Sequence, residues 1–83
     1  MKVSIIIPIY NEETTIRKLL GSLEPVKEKA EILFVDGGST DRTLQMIPEG
    51  YTVLQGAKGR ARQMNLGANK SSGDVLFFLH CDS

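Results

Sequence analysis

The stretch "EILFVDGGSTD", residues 31–41, decides the fold of this chain. Its first part, Ile32 to Val35, is uninterrupted in apolar character and ends at once in Asp36 and a pair of glycines. A short apolar run without alternation is typical of a strand that is buried on both faces, as in a parallel sheet. The polar residues that follow predict a tight turn, with Ser39 or Thr40 capping a short helix.

An apolar strand followed by an amphipathic helix precedes this stretch. Val3 to Ile7 is predicted to form the first strand, and Pro8 is predicted to end it, since proline donates no hydrogen bond to a sheet. Asn11 then resembles a helix N-cap. The helix carries an apolar stripe at Ile16, Leu19, Leu20 and Leu23, spaced i, i+3, i+4 and i+7.

The same alternation continues downstream. Residues 51–54 form a third strand, and a glycine-spaced basic loop at 56–60 leads into a helix that ends near Lys70. The apolar face of this helix is predicted at Ala61, Met64 and Ala68, and residues 75–79 form the last strand. The order βαβαβαβ predicts an α/β domain with a parallel sheet and right-handed crossovers, covered by helices on both faces.

The composition is that of an ordinary globular domain. A hydrophobic content of 41% with 24% charged residues argues against disorder. Ten basic residues balance ten acidic ones, so no overall field favours nucleic acid as a partner. The single cysteine offers no metal-cluster spacing, and no apolar stretch approaches the ~20 residues of a membrane span. We therefore expect a cytoplasmic domain.

Candidate functional residues gather where the predicted strands end, because open α/β sheets bind ligands outside the carboxyl ends of their strands. These ends carry Pro8, Tyr10, Asn11, Glu12, Asp36, Lys58, Arg60, Arg62, His80, Cys81 and Asp82. The opposite edge carries mostly Lys2, Lys29, Glu31 and Asp74, which we interpret as a solvated edge.

Each of these features also has a purely structural interpretation. Asn11 and Glu12 can be simple helix capping, Asp36 can belong to a tight turn, and His80 can be structural. Cys81 is interpreted as a small buried hydrophobe. The positive N-terminal end of a helix dipole repels cations. The position of Lys58, Arg60 and Arg62 at the start of a helix therefore favours an anion-binding role.

Missing motifs argue against three common classes of phosphate-binding or phosphate-accepting domain. No G-x-G-x-x-G follows the first strand, which argues against a dinucleotide-binding domain. No G-x-x-x-x-G-K-[ST] is present, which excludes a P-loop. A phospho-acceptor receiver domain needs an acidic pair after the first strand, where this chain has Pro8, Ile9 and Tyr10.

Four blocks of the sequence, "SIIIPIYNEE", "ILFVDGGSTDRT", "GRARQMNLGA" and "GDVLFFLHCDS", together resemble the start of a family 2 glycosyltransferase with the GT-A fold. They occur in the family's order and cover nearly the whole chain. The nearest variety is the bacterial and archaeal subgroup with V-D-G-G-S-T-D, G-R-A-x-Q-M-N and F-L-H-x-D motifs. The resemblance implies a Rossmann-like three-layer sandwich that binds a nucleotide-diphosphate sugar, usually a UDP- or GDP-sugar.

The resemblance also implies roles for single residues. Pro8, Tyr10 and Glu12 would line the nucleoside pocket, with Asn11 beside them. Asp36 would accept a hydrogen bond from the base. Arg60, helped by Lys58 or Arg62, would lie against the base or the phosphates.

A divalent cation is implied at the end of the last strand. Asp82 matches the last acidic residue of the family's D-x-D motif, which holds Mg²⁺ or Mn²⁺ on the donor diphosphate. His80 stands where the family commonly has the first aspartate, and it is the second candidate ligand. Imidazole is a poor ligand for Mg²⁺ but an acceptable one for Mn²⁺, so this departure weakens the metal prediction.

By the same resemblance, residues 1–83 correspond to the N-terminal part of a family 2-like domain that performs inverting transfer. The acceptor half and the catalytic base lie outside these residues, so we expect donor binding without turnover. Two alternatives stay open, namely a non-catalytic nucleotide-binding remnant and a structural α/β module that binds no nucleotide. The full-length enzyme is expected at the cytoplasmic membrane face, and the bare apolar edge of the last strand predicts self-association.

Overall fold

A computed structural model describes residues 1–81 of the chain. The elements are β1 (Val3–Ile9), α1 (Ile16–Leu23), β2 (Glu31–Asp36), α2 (Thr43–Met46), β3 (Thr52–Gln55), α3 (Arg60–Lys70) and β4 (Val75–Phe78). The strands form one parallel sheet in the order β3-β2-β1-β4. The predicted α/β fold is confirmed, and β1 and β2 are its central strands.

One face of the sheet packs against α1, because successive side chains of a strand point to opposite faces. Ile7 and Ile9 of β1 and Phe34 of β2 are buried there in one cluster with Ile16 and Leu23 of α1. Four of these five side chains belong to the apolar segments that predicted the two strands and the helix, and Ile9 lies beyond the predicted end of the first strand.

The other face packs against α3, and glycine at position 67 sets how closely. Ile6 and Val35 are completely buried on this face. A Cβ added at Gly67 would meet the Ile6 side chain and lie 3.0 Å from Val35 Cγ2. The helix therefore approaches the sheet more closely than any other residue at position 67 would allow.

Pro8 lies inside β1, so the prediction that it ends the strand is wrong. Ile6 O accepts a hydrogen bond from Leu79 N beyond the end of β4, whereas Ile9 O accepts one from Gly37 N beyond the end of β2. Alternate residues of β1 thus direct their backbone groups to opposite neighbours, and the Pro8 nitrogen faces the β4 side. Regular pairing of β1 with β4 stops at Ile6, so proline at position 8 removes no ladder hydrogen bond and the strand continues.

The amino edge of the sheet is solvated, as predicted from the sequence, and it also carries a hydrogen-bond network centred on the half-buried Glu31. Its Oε1 accepts hydrogen bonds from Ser4 Oγ (2.7 Å) and Ser72 N (2.8 Å), and Lys2 Nζ donates to Ser72 Oγ (2.6 Å). The Ser72 N–H, then the Ser4 hydroxyl, hold the pKa of Glu31 below its usual value. This network ties the turn between α3 and β4 to the start of β2.

Strand β4 lies at an edge of the sheet and exposes large apolar side chains. Leu76, Phe77 and Phe78 are 37%, 58% and 44% exposed. Within residues 1–81, β4 pairs only with β1. Its other side is an open strand edge flanked by apolar groups.

Candidate functional site

A cavity of about 180 Å³ opens at the carboxyl edge of the sheet, between the end of β1 and the start of α3. Five residues predicted from the sequence line it: Pro8, Tyr10, Glu12, Lys58 and Arg60. Asn11, Asp36 and Arg62 lie outside its lining. Of the two predicted metal ligands, His80 is not in the lining, and Asp82 lies outside the described residues.

The cavity presents an aromatic ring with a cation over it. Lys58 Nζ lies 4.1 Å from the centroid of the Tyr10 ring. A cation in this position is attracted by the negative face of the ring, by about 0.5–1 kcal/mol at an exposed site. The carboxylate of Glu12 lies in the same lining, so one small cleft combines an aromatic ring, an acid and a cation.

Asn11 joins two loops and does not cap α1, so the prediction of an N-cap is wrong. Its backbone is left-handed (φ 51°), a conformation that asparagine tolerates better than most residues. Its Oδ1 accepts hydrogen bonds from Thr40 N (2.8 Å) and Asp41 N (3.3 Å), and its own N–H donates to Ser39 Oγ (2.9 Å). The loop after β1 is therefore held against the loop after β2.

Asp36 is buried at the end of β2, and its carboxylate is occupied by its own loop. Only 2% of the residue is exposed. Oδ2 accepts hydrogen bonds from Gly38 N (2.9 Å) and Ser39 N (3.1 Å), and Oδ1 accepts one from Ser39 Oγ (2.5 Å). These three donors fix the orientation of the carboxylate and leave part of its acceptor capacity unused.

A second set of hydrogen bonds joins the same two loops further from the sheet. Glu12 N donates to Thr43 Oγ1 (2.7 Å), and Glu13 N donates to Asp41 Oδ2 (3.3 Å). Desolvation raises the pKa of Asp41, but hydrogen bonds from Thr43 and from the backbone N–H groups of Glu13 and Asp41 together outweigh it, and the pKa lies below its usual value. Asp41 rather than Ser39 or Thr40 thus supports the start of α2, through Thr43 N (2.9 Å).

Three cations gather at the start of α3, namely Lys58, Arg60 and Arg62. None of them forms an ion pair with a side chain among residues 1–81. Gly59, between the first two, has a φ of 140° that favours glycine and lets the chain turn into the helix. Unpaired cations beside the positive end of a helix are unfavourable until an anion binds, so this end of the cleft is suited to an anionic group.

Gln63 is a buried polar residue in the cavity lining that the sequence analysis missed. Ala61, predicted on the apolar face of α3, is exposed, whereas Gln63 and Gly67 are buried. Their i, i+4 spacing places both on the face towards the sheet. Gln63 lies in the block "GRARQMNLGA", but hydrophobicity alone assigns a glutamine to the solvent side.

The end of the last strand contributes a buried thiol and an imidazole. Cys81 is 5% exposed and packs in the core cluster, with Sγ 3.7 Å from Thr15 Oγ1, as expected for a small buried residue. Among residues 1–81 there is no group of three or more histidine, cysteine, aspartate or glutamate side chains that could hold a metal ion. The metal ligands Asp82 and His80 stay a prediction.

Among residues 1–81, none of the helices has the length and apolar character that a membrane span requires.

Sequence and structure comparisons identify similar proteins. The profile of the family described as Glycosyl transferase family 2 matches residues 4–83. The undecaprenyl-phosphate 4-deoxy-4-formamido-L-arabinose transferase of Proteus mirabilis is 30% identical over 94 residues, which cover 98% of this chain and 29% of that protein. Staphylococcus aureus TarS, crystallised as residues 1–349, superposes with a TM-score of 0.87 at 32% identity over 99% of this chain and 28% of its own. This TarS region has also been crystallised with UDP-GlcNAc.

A second solved structure is a ligand complex. Glucosyl-3-phosphoglycerate synthase of Mycobacterium tuberculosis, crystallised with Mn²⁺, UDP and glucosyl-3-phosphoglycerate, has a TM-score of 0.79 at 28% identity. The match covers 96% of this chain and 33% of that one, so the chain spans about a third or less of the proteins named here. With the parallel sheet, the family profile and the similar structures in agreement, the chain belongs to glycosyl transferase family 2.

Proposed function

We propose that the cleft at the carboxyl edge binds a nucleotide-diphosphate sugar, UDP- or GDP-linked, as the donor for inverting glycosyl transfer. The observation that carries this proposal is the juxtaposition of the Tyr10 ring and the cations Lys58 and Arg60 in one cavity. An aromatic face suits a base, and unpaired cations at a helix start suit phosphates. The UDP complexes of the similar structures support the same class of ligand.

The lining residues divide by chemistry. Tyr10 offers a ring on which a base can stack, and Pro8 forms the apolar wall beside it. Glu12 offers a carboxylate that can accept hydrogen bonds from a base or a ribose. Lys58 and Arg60 are placed to bind the diphosphate, whose charge they would balance.

The other predicted residues have supporting roles in this proposal. Asp36 and Asn11 shape the two loops beside the cleft through their hydrogen bonds to those loops, and Asp36 is also proposed to accept a hydrogen bond from the base with its remaining acceptor capacity. Arg62 would act at longer range by adding to the positive potential. Asp82, with His80, is proposed to hold Mg²⁺ or Mn²⁺, which would stabilise the negative charge on the leaving diphosphate.

Catalysis by the whole protein is proposed from the family. The acceptor half and the catalytic base are proposed to lie outside residues 1–83, and the 83-residue chain would bind donor without turning it over. The cytoplasmic location, the membrane face and the V-D-G-G-S-T-D subgroup are kept as proposals of the same kind. A non-catalytic nucleotide-binding remnant and a structural module are the alternatives.

A calorimetric titration and an assay of UDP-sugar turnover together separate these possibilities. The chain is titrated with UDP and GDP, with and without Mn²⁺. Saturable binding of either nucleotide supports the donor site, and loss of the Mn²⁺-dependent part in Asp82→Ala supports the metal ligand. No binding of either nucleotide would favour the structural module, and turnover of a UDP-sugar would exclude the non-catalytic remnant.

The exposed side of β4 supports a second proposal, that the isolated chain self-associates. An open edge carrying Leu76, Phe77 and Phe78 can pair with another strand. Sedimentation velocity should show a larger species that grows with concentration and diminishes in Phe77→Lys. A monomer at every concentration would contradict it.

A further inference from the structure

We infer that Gln63 is a positioning residue that fixes the two walls of the donor cleft relative to each other. The inference rests on the proposed nucleotide site. Gln63 lies at the floor of the cavity and is 4% exposed, on the helix that forms one wall and against the strands that form the other.

The side-chain amide of Gln63 is committed to the protein backbone. Nε2 donates to Ile9 O (2.9 Å) and to Val35 O (2.8 Å), and Oε1 accepts from Gly59 N (3.1 Å). Both donors and one acceptor position are used, so Gln63 has no donor left for a ligand. We therefore expect Gln63 to act on a ligand chiefly through the groups that it holds.

Those groups are the immediate neighbours of the proposed contact residues. Ile9 directly precedes Tyr10, and Gly59 lies between Lys58 and Arg60. One amide therefore fixes the backbone beside the aromatic wall and the backbone between the two cations. Ligand binding that uses both walls depends on their separation, which this amide helps to set.

The amide of Gln63 packs closely against Gly37. A Cβ added at Gly37 would lie 2.9 Å from Gln63 Oε1, so glycine at position 37 makes space for the amide. Only a neutral amide provides two donors and a strong acceptor at this length, since a glutamate carboxylate has no donor and methionine has no donor and only a weak acceptor. The site thus specifies glutamine by hydrogen bonding and not by volume.

Gln63→Met tests the role, because it keeps the volume and removes all three hydrogen bonds. We expect the Kd for UDP, measured by calorimetry, to rise about tenfold or more. Glu31→Ala is the matched control, because it removes a hydrogen-bonded hub at the opposite edge of the sheet, and it should leave the Kd within about twofold of the parent. Urea unfolding measures the stability that each variant loses.

Gly59→Ala is a second variant in case Gln63→Met does not fold. On its own it should raise the Kd for UDP, because it disturbs the loop whose Gly59 N–H donates to Gln63 Oε1. Where both variants fold, its effect should be less than additive with that of Gln63→Met. In Gln63→Met the Gly59 amide should also lose protection from hydrogen exchange.

The outcomes separate this inference from the proposed function. A parent that binds neither UDP nor GDP overturns both. A parent that binds UDP, with Gln63→Met binding it equally well or Glu31→Ala weakening it as much, overturns only the positioning role. The positioning role would also be overturned if the effects of Gly59→Ala and Gln63→Met on the Kd were additive. The same holds if Gly59→Ala bound UDP as tightly as the parent.

Discussion

Replacing Lys58 with alanine should change the binding of a nucleoside and of a nucleoside diphosphate in opposite directions. Lys58 Nζ lies 4.1 Å from the centroid of the Tyr10 ring, on which we propose that the base stacks. A base must displace the ammonium group, at a cost of about 0.5–1 kcal/mol. Removing the lysine should therefore strengthen uridine binding by about two- to fivefold.

A diphosphate on the ligand reverses the expected effect of Lys58→Ala on affinity. Once displaced from the ring, the ammonium group can donate charge-assisted hydrogen bonds to phosphate, which contribute about 1.5–3 kcal/mol. After the contact with the ring is subtracted, Lys58→Ala should weaken UDP binding by about 0.5–2.5 kcal/mol, a factor of roughly two to seventy. The loss should shrink as salt is added, because the contact is electrostatic and close to solvent.

Calorimetric titration of the parent and of Lys58→Ala with uridine and UDP, at low and high salt, measures both effects. Lys18→Ala is the control, because it removes an exposed lysine from α1, outside the cavity lining. The reasoning would be refuted if Lys58→Ala weakened uridine and UDP by the same factor. It would also be refuted if neither Kd changed.

Three further predictions concern stability. Asp36→Ala should lower the free energy of unfolding by about 2–3 kcal/mol, because two loop amides and a hydroxyl lose their buried acceptor; a loss below about 0.5 kcal/mol in urea unfolding would contradict the loop role. Gly67→Ala should cost about 1–3 kcal/mol by the same measurement, because the added methyl group meets Ile6, and an unchanged midpoint would show that α3 can move away. The pKa of Glu31 is lowered in the folded state, first by the Ser72 N–H, so its stabilisation is complete above its ordinary pKa and is lost as the pH falls through the lowered one. Glu31→Gln should therefore reduce the fall of the melting temperature at acid pH. An unchanged fall would show that other groups cause it.

The fold could be predicted from the sequence because its signals are local. Apolar runs indicate which segments are strands, and helical apolar stripes indicate which are helices. Alternation of strands and helices along the chain implies a parallel sheet. The place of Pro8 could not be predicted in this way. Whether a proline interrupts a strand depends on which neighbour its nitrogen faces and where that neighbour ends, and this is a property of the assembled sheet.

The candidate site could be predicted only in part, for a related reason. Tyr10, Lys58 and Arg60 were found because they follow strands or precede a helix, and strand ends meet at one edge. Asn11 has the same local signature as a helix cap, but its partners are residues 40 and 41, far along the chain. Gln63 left no local signal at all, because its partners belong to three separate segments.

Burial separates two kinds of polar residue at this edge that the sequence cannot distinguish. Asp36 and Gln63 are almost completely buried, and their side chains form hydrogen bonds mainly with the backbone. Lys58 and Arg60 are exposed and line the cleft. Substitution of a buried member should reduce stability and nucleotide affinity together, because the frame of the cleft changes. Substitution of an exposed member should reduce affinity alone, because surface changes seldom alter stability by more than about 0.5 kcal/mol. Measuring unfolding and nucleotide binding on the same variants therefore distinguishes residues that support the cleft from residues that contact the ligand. A loss of stability in Arg60→Ala would contradict this distinction.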